Sequence, residues 1–122
     1  MQAPRTVTVL SSAARTATLN SDNFSSGNCK GIVLIVDVTA VAATPSVTFT
    51  IQGYDHLSGS YYTILASAAV TAVSTNVYHV YPGLTAAANS VANSVLPSSW
   101  RVRAVHGDAD SITYSVSANL VP

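Results

Sequence analysis

Charge is what this chain lacks most. Only 8% of its 122 residues are Asp, Glu, Lys or Arg, where about 25% is usual for a soluble domain, and glutamate is absent altogether. Five basic residues are matched by five aspartates, for a formal net charge of zero. There is therefore no basic field to gather nucleic acid and no acidic one to draw cationic substrates, and no nucleic-acid partner is expected. The single cysteine, Cys29, excludes an internal disulfide and any multi-cysteine zinc site; it is expected to be a small buried apolar residue. The N-terminal MQAPRTVTV lacks the charged and then apolar layout of a secretory signal. The longest uninterrupted apolar run, residues 32–36, is far shorter than the about 20 residues a membrane span needs. The expectation is synthesis in the cytoplasm, with no membrane partner and no cofactor.

What stands in the place of charge is Ser, Thr, Ala and Val. β-Branched and small residues suit a pleated sheet, whereas the residues that fill exposed helix positions are scarce. The length fits one domain, residues 1–122, large enough to bury roughly two-thirds of the surface its unfolded chain exposes. A surface without net charge, on a domain that must stay soluble, fits close neighbours better than a solitary existence.

Along the chain, residues 5–10 alternate Thr with Val or Leu and read as a strand, either an N-terminal arm (residues 1–10) or a sheet edge continuing through the Ser-Ala stretch to residue 19. Residues 20–30 concentrate Ser, Asn, Asp and Gly and read as a loop. Residues 31–39, GIVLIVDVT, are nearly all apolar, the pattern of a central strand buried on both faces. In residues 46–54, Val47, Phe49 and Ile51 share one face and Thr48, Thr50 and Gln52 the other. Asp55-His56-Leu57-Ser58-Gly59 predicts a hairpin turn into an antiparallel strand over residues 61–66. A further strand over residues 76–81 is closed by Pro82-Gly83, where Pro fixes the first dihedral of a type II turn and Gly accepts the second.

Residues 84–96 read as a long connection with a helical turn or two around Ala86–Ala88. Residues 100–106 and 111–120 read as a hairpin across Gly107-Asp108-Ala109-Asp110, with Ile112, Tyr114, Val116, Ala118 and Leu120 on one face. Seven or eight strands, close-set turn signals, no internal repeat and no amphipathic helix together predict an all-β antiparallel β-sandwich, jelly-roll-like in character.

The candidate chemistry is sparse. Ser, His and Asp all occur, but no Gly-x-Ser-x-Gly turn presents a nucleophile; His56 reads as a turn residue and His79 as an ordinary strand residue, and no catalytic residue is expected. Asp108 and Asp110, one residue apart, resemble a fragment of a calcium loop, yet the other ligands of such a loop are missing and a tight turn is the favoured account of them. No metal site is assigned. Tyr61, Tyr62, Tyr78, Tyr81 and Trp100 invite a carbohydrate-binding platform, but alternation puts Tyr61 and Tyr62 on opposite faces and no flat stripe emerges. Arg101 and Arg103 fall opposite Trp100, Val102 and Ala104 and are expected to reach a rim or a partner.

Beyond these patterns, TPSVTFTIQG at residues 44–53, YPGLTAAAN at 81–89 and LPSSWRVRAVHGDADSITYSV at 96–116 resemble a group of small structural proteins of phages and prophages. The resemblance runs through roughly residues 31–121. It implies a virion component, most like a head decoration (cement) protein on the capsid exterior, with tail-tube, head-completion and adaptor proteins as alternatives and a carbohydrate-binding module as a further one. It carries no catalytic residues with it. The implied partners are the major capsid protein or other virion proteins and further copies of the chain, a trimer being favoured. The interface candidates are Arg5, Thr6, Val7, Thr8 and Val9, which can add a strand to a neighbouring sheet edge, together with Arg101 and Arg103.

Overall fold

The computed structural model describes residues 5–122, and the first four residues of the predicted arm lie outside them. Ten strands are present: β1 (Arg5–Arg15), β2 (Leu19–Asn20), β3 (Phe24–Ser25), β4 (Gly31–Val41), β5 (Val47–Asp55), β6 (Ser60–Ala66), β7 (Ser74–Val80), β8 (Val91–Ala92), β9 (Ser99–His106) and β10 (Ile112–Val121). The excess over the seven or eight expected comes from β2, β3 and β8, two-residue segments too short to leave a periodic trace.

The strands form two sheets. One has the order β1-β10-β4-β7-β8; the other has β2-β9-β5-β6, with β3 also paired to β9. All pairings are antiparallel except β7 with β8. The sheets face each other across one apolar core, as in a β-sandwich. Alternation decides which residues enter it. Val47, Phe49 and Ile51 of β5, Trp100, Val102 and Ala104 of β9, and Ile112, Tyr114, Val116, Ala118 and Leu120 of β10 are all buried, as period two requires. Phe49 meets Tyr114 edge to face across the gap, with ring centroids 5.0 Å apart, the arrangement aromatic quadrupoles favour. Cys29 is buried and unpaired.

Three expectations need correction. First, β9 and β10 are not a hairpin. β9 pairs with β2, β3 and β5, and β10 with β1 and β4, so the chain crosses from one sheet to the other at residues 107–111. A Gly-Asp turn serves a corner as well as a hairpin, and here Asp110 closes it: its carboxylate accepts from the N–H and hydroxyl of Thr44, while Asp108 accepts from the Asp110 N–H. Second, β4 is central but not buried on both faces. Ile32, Leu34, Val36 and Val38 enter the core, whereas Val33, Ile35 and Asp37 lie half-buried on the outer face. Third, residues 84–96 contain no helix; Asn89 adopts a positive φ of 62° and a backbone bridge joins Ala87 to Val91, which turns the chain back to lay β8 beside β7.

Other local expectations are found in place. Gly59 closes the β5–β6 turn at φ 72° with its N–H on the Asp55 carbonyl at 2.8 Å. Gly83 has φ 93°, the sign that the second position of a type II turn demands. Gly31 permits the closest strand approach, since a Cβ there would lie 2.1 Å from the Val80 carbonyl oxygen.

Candidate functional site

The most organised polar surface is the outer face of β9-β5-β6. Because β9 alternates, burying Trp100, Val102 and Ala104 turns Arg101 and Arg103 outward together. Register then supplies their neighbours: Arg101 lies opposite Gln52, and Arg103 opposite Thr50 on one side and Asn20 on the other. Arg101 Nε donates to Gln52 Oε1 at 2.8 Å, and its guanidinium lies over the Tyr61 ring, 3.4 Å from the centroid. Tyr61 is itself held, its hydroxyl donating to Asn23 Oδ1 at 2.9 Å and its ring packed on Tyr54 at 4.8 Å. His56 meets Tyr54 edge-on at 4.9 Å. Arg103 reaches Asn20 Oδ1 at 3.4 Å. Neither guanidinium hydrogen-bonds a carboxylate among the described residues. The nearby Asp55 carboxyl is engaged by the Ser58 hydroxyl and the Leu57 N–H, and the Ser58 bond foremost holds its pKa below the ordinary carboxylate value.

Sequence reasoning placed the two arginines on this face but missed Gln52, Tyr54 and Asn23 as their company. That grouping depends on which strand lies beside which, and alternation within a strand is silent about it. The tyrosine platform does not form as a unit. Trp100 is fully buried against Phe24, with centroids 5.2 Å apart; its indole N–H is the only buried side-chain polar atom among the described residues without a hydrogen-bond partner. Tyr78 is buried, Tyr81 donates to the Pro122 carbonyl at 2.8 Å, and Tyr62 lies against Gly53 on the other face of β6.

The N-terminal candidates belong to β1, which among the described residues pairs only with β10 and so leaves one backbone edge open there. Val9 is buried and Val7 half-buried, so their side chains belong to the fold. Arg5 donates to the Ser25 carbonyl at 3.1 Å. Thr6 donates to Asn119 Oδ1 at 2.7 Å, and Thr6 and Thr8 remain exposed. The two halves of the edge differ. Arg15 folds back to donate to the carbonyls of Ser11, Ala13 and Tyr114, and register shifts interrupt the ladder between Thr8 and Ala13. Bulges and side-chain cover of this kind discourage edge pairing, which leaves residues 5–8 as the regular stretch.

The three histidines are not brought together. His56 is in the β5–β6 turn, His79 is exposed on β7 opposite Val33, and His106 ends β9 with Nε2 3.0 Å from the Tyr114 hydroxyl. Burial, then the Arg15 charge, lowers the His106 pKa against a smaller opposing effect of Asp108. Burial pushes the Tyr114 phenol up to about 12. A cleft of about 420 Å³ beside β7 is lined by Ala, Ser, Thr, Val and Asn, with Tyr78 the one ionisable group among the described residues that line it. Among the described residues no three His, Cys, Asp or Glu side chains gather as metal ligands do.

Compared with protein-family models, curated proteins and solved structures, the chain matches none.

Proposed function

We propose that this chain is a non-catalytic structural module of a bacteriophage virion, a decoration protein that sits on the outer capsid lattice and stabilises the head. The observation that carries the reading is the outer face of β1-β10-β4-β7. It presents Thr6, Thr8, Ser115, Ser117 and Asn119 on β1 and β10 beside an apolar patch of Val33, Ile35 and Val77 on β4 and β7. Among the described residues its ionisable groups are Asp37, His79 and, at its end, Tyr81, and the Asp37 carboxylate accepts a bond from Thr75 at 3.1 Å. A face four strands wide with almost no charge is inexpensive to desolvate, because little has to be stripped of tightly held water. Val77, 44% exposed on β7 at one side of that face, is the kind of apolar contact a partner covers.

Strand order supports the same reading. With β2 and β3 taken as one strand and the two-residue β8 set aside, eight strands in chain order fall into the rows β1-β10-β4-β7 and β2/β3-β9-β5-β6. We read this order as that of a jelly roll, an architecture that capsid and lectin domains share. Fold alone assigns no function; what supports the virion over the lectin is the neutral face, together with the resemblance read from the sequence. The mechanism is mass action: a module that binds only the assembled lattice stabilises each occupied site by about 2.7 kcal/mol at a concentration a hundredfold above Kd. Copies clustered around a symmetry axis, a trimer in the simplest case, would bridge neighbouring shell subunits.

The test is the protein content of gradient-purified particles released by cells that encode the chain. The reading expects its peptides in fixed ratio to the shell subunit. Particles that contain the shell subunit without this chain would refute it.

A further inference from the structure

We propose that the outer face of β9-β5-β6 is a receptor for an extended acidic segment of a partner protein, in which Arg101 and Arg103 take carboxylates two residues apart. From the preceding reading the proposal takes only that the partner is a protein.

Arg101 is the more firmly held of the two arginines. Its guanidinium is fixed from beneath by Tyr61 at 3.4 Å and from one edge by Gln52 at 2.8 Å. Tyr61 cannot swing away without losing Asn23 and its packing on Tyr54. A guanidinium carries five N–H donors in a planar fork. With Nε engaged, the four on the two η nitrogens have no protein acceptor among the described residues. A fork held in this way has surrendered its rotamer freedom on folding, so a carboxylate that accepts two parallel N–H bonds meets a prepared site.

Spacing then selects the ligand. Arg101 and Arg103 project from the same side of one strand, roughly 6.6 Å apart along it by the strand rise. An extended polypeptide has the same period, so acidic residues at alternate positions fall in step with the two guanidiniums. Charge bears on the same point: neither cation has an ion-pair partner among the described residues, although the exposed Asp22 follows β2 on this side; the other outward groups include Gln, Thr, Tyr, Asn, His56 and Val105, and Asp55 is engaged in its own turn. At the tip of the same β5–β6 hairpin Leu57 is 96% exposed, an apolar neighbour for such a segment. A saccharide fits less well. It needs an open aromatic face, and the Tyr61 ring is covered by Arg101 on one side and packed by Tyr54.

The experiment is a fluorescence-anisotropy titration of the purified chain with a labelled peptide alternating Asp and Thr. An isomer with its aspartates contiguous and an oligogalacturonate of equal charge serve as competitors. The alternating peptide should bind, more weakly as salt rises. Arg101→Gln should lose about tenfold in affinity, and Arg101→Lys should fail to restore it because an ammonium neither forks nor stacks. Unchanged Trp100 emission would establish that both variants fold. Absence of binding, equal binding by Arg101→Gln, or stronger competition by either competitor than by unlabelled alternating peptide would overturn the proposal. The titration needs no particle, so its failure removes the receptor alone, whereas absence of the chain from purified particles would remove the virion reading and leave the titration standing.

Discussion

Gly31→Ala should damage this fold far more than Gly53→Ala, although both glycines are buried strand residues. A Cβ on Gly31 would stand 2.1 Å from the Val80 carbonyl oxygen, 2.6 Å from Tyr81 Cδ1 and 3.1 Å from Tyr81 Cα. The closest obstacle is backbone of the neighbouring strand, so β4 and β7 must part by more than an ångström, at the cost of ladder bonds beside the Ile32–Val80 pair. Overpacking of about 1–3 kcal/mol and a lost hydrogen bond of about 1 kcal/mol give a destabilisation of about 2–4 kcal/mol. A Cβ on Gly53 would come within 2.4 Å as well, but only of the Tyr62 ring. Tyr62 is 48% exposed and can rotate outward, and alanine recovers about 0.5–1 kcal/mol of glycine's chain-entropy cost. Gly53→Ala should therefore fall within about 1 kcal/mol of wild type. Urea unfolding is a suitable assay, because the single tryptophan, Trp100, is fully buried and reports loss of the core. With an m-value of about 1–3 kcal/mol/M, the Gly31 variant should unfold roughly 1–2 M earlier. Equal midpoints for the two variants would refute the close β4–β7 contact.

Further tests address strain and titration. Ala43 adopts φ 57°, where a Cβ costs about 1–2 kcal/mol, so Ala43→Gly should stabilise by about 0.5–1 kcal/mol; a lower urea midpoint would contradict this. The Tyr114 phenol is raised to about 12 by burial. The unfolded chain therefore releases that proton first, and stability should fall by about 2 kcal/mol as pH climbs from about 10 to 12, a slope that Tyr114→Phe should flatten. For His106 the folded pKa is lowered, so the unfolded chain binds its proton more readily. Stability is then complete above about pH 6.5 and declines as pH falls through that value until the folded form also protonates; His106→Asn should remove this component, and an unaltered acid limb would argue against the buried contact with Tyr114.

Legibility from sequence followed the range of the interactions. Alternation in β5, β9 and β10 depends on neighbours two residues away, and those faces were readable: Val47 with Phe49, Trp100 with Val102, and the five core residues of β10 all sit as their spacing requires. The partnership of strands was not. Arg5 pairs with Leu120 and Thr6 bonds Asn119, contacts with no local signature, and the same turn residues at 107–110 that suggest a hairpin instead carry the chain between sheets. Ala86–Ala88 suggested helix by propensity, and the backbone turn at Asn89 with the register of β8 against β7 prevailed. Residues 31–39 looked buried on both faces because Val33 and Ile35 are apolar, yet they line the outer surface that the assembly reading uses. At the candidate site the outward direction of Arg101 and Arg103 was legible, whereas strand register brings Gln52 and Tyr61 to Arg101 and Tyr54 to Tyr61, and the loop between β2 and β3 brings Asn23 to Tyr61.

The central claim is most directly tested by cryo-electron microscopy of the particle that carries this chain. The account predicts density for the two-sheet domain repeated over the outer capsid lattice, with the β1-β10-β4-β7 face or the arginine-bearing face turned toward the shell. Density confined to the tail or the portal vertex, or none at all, would contradict it.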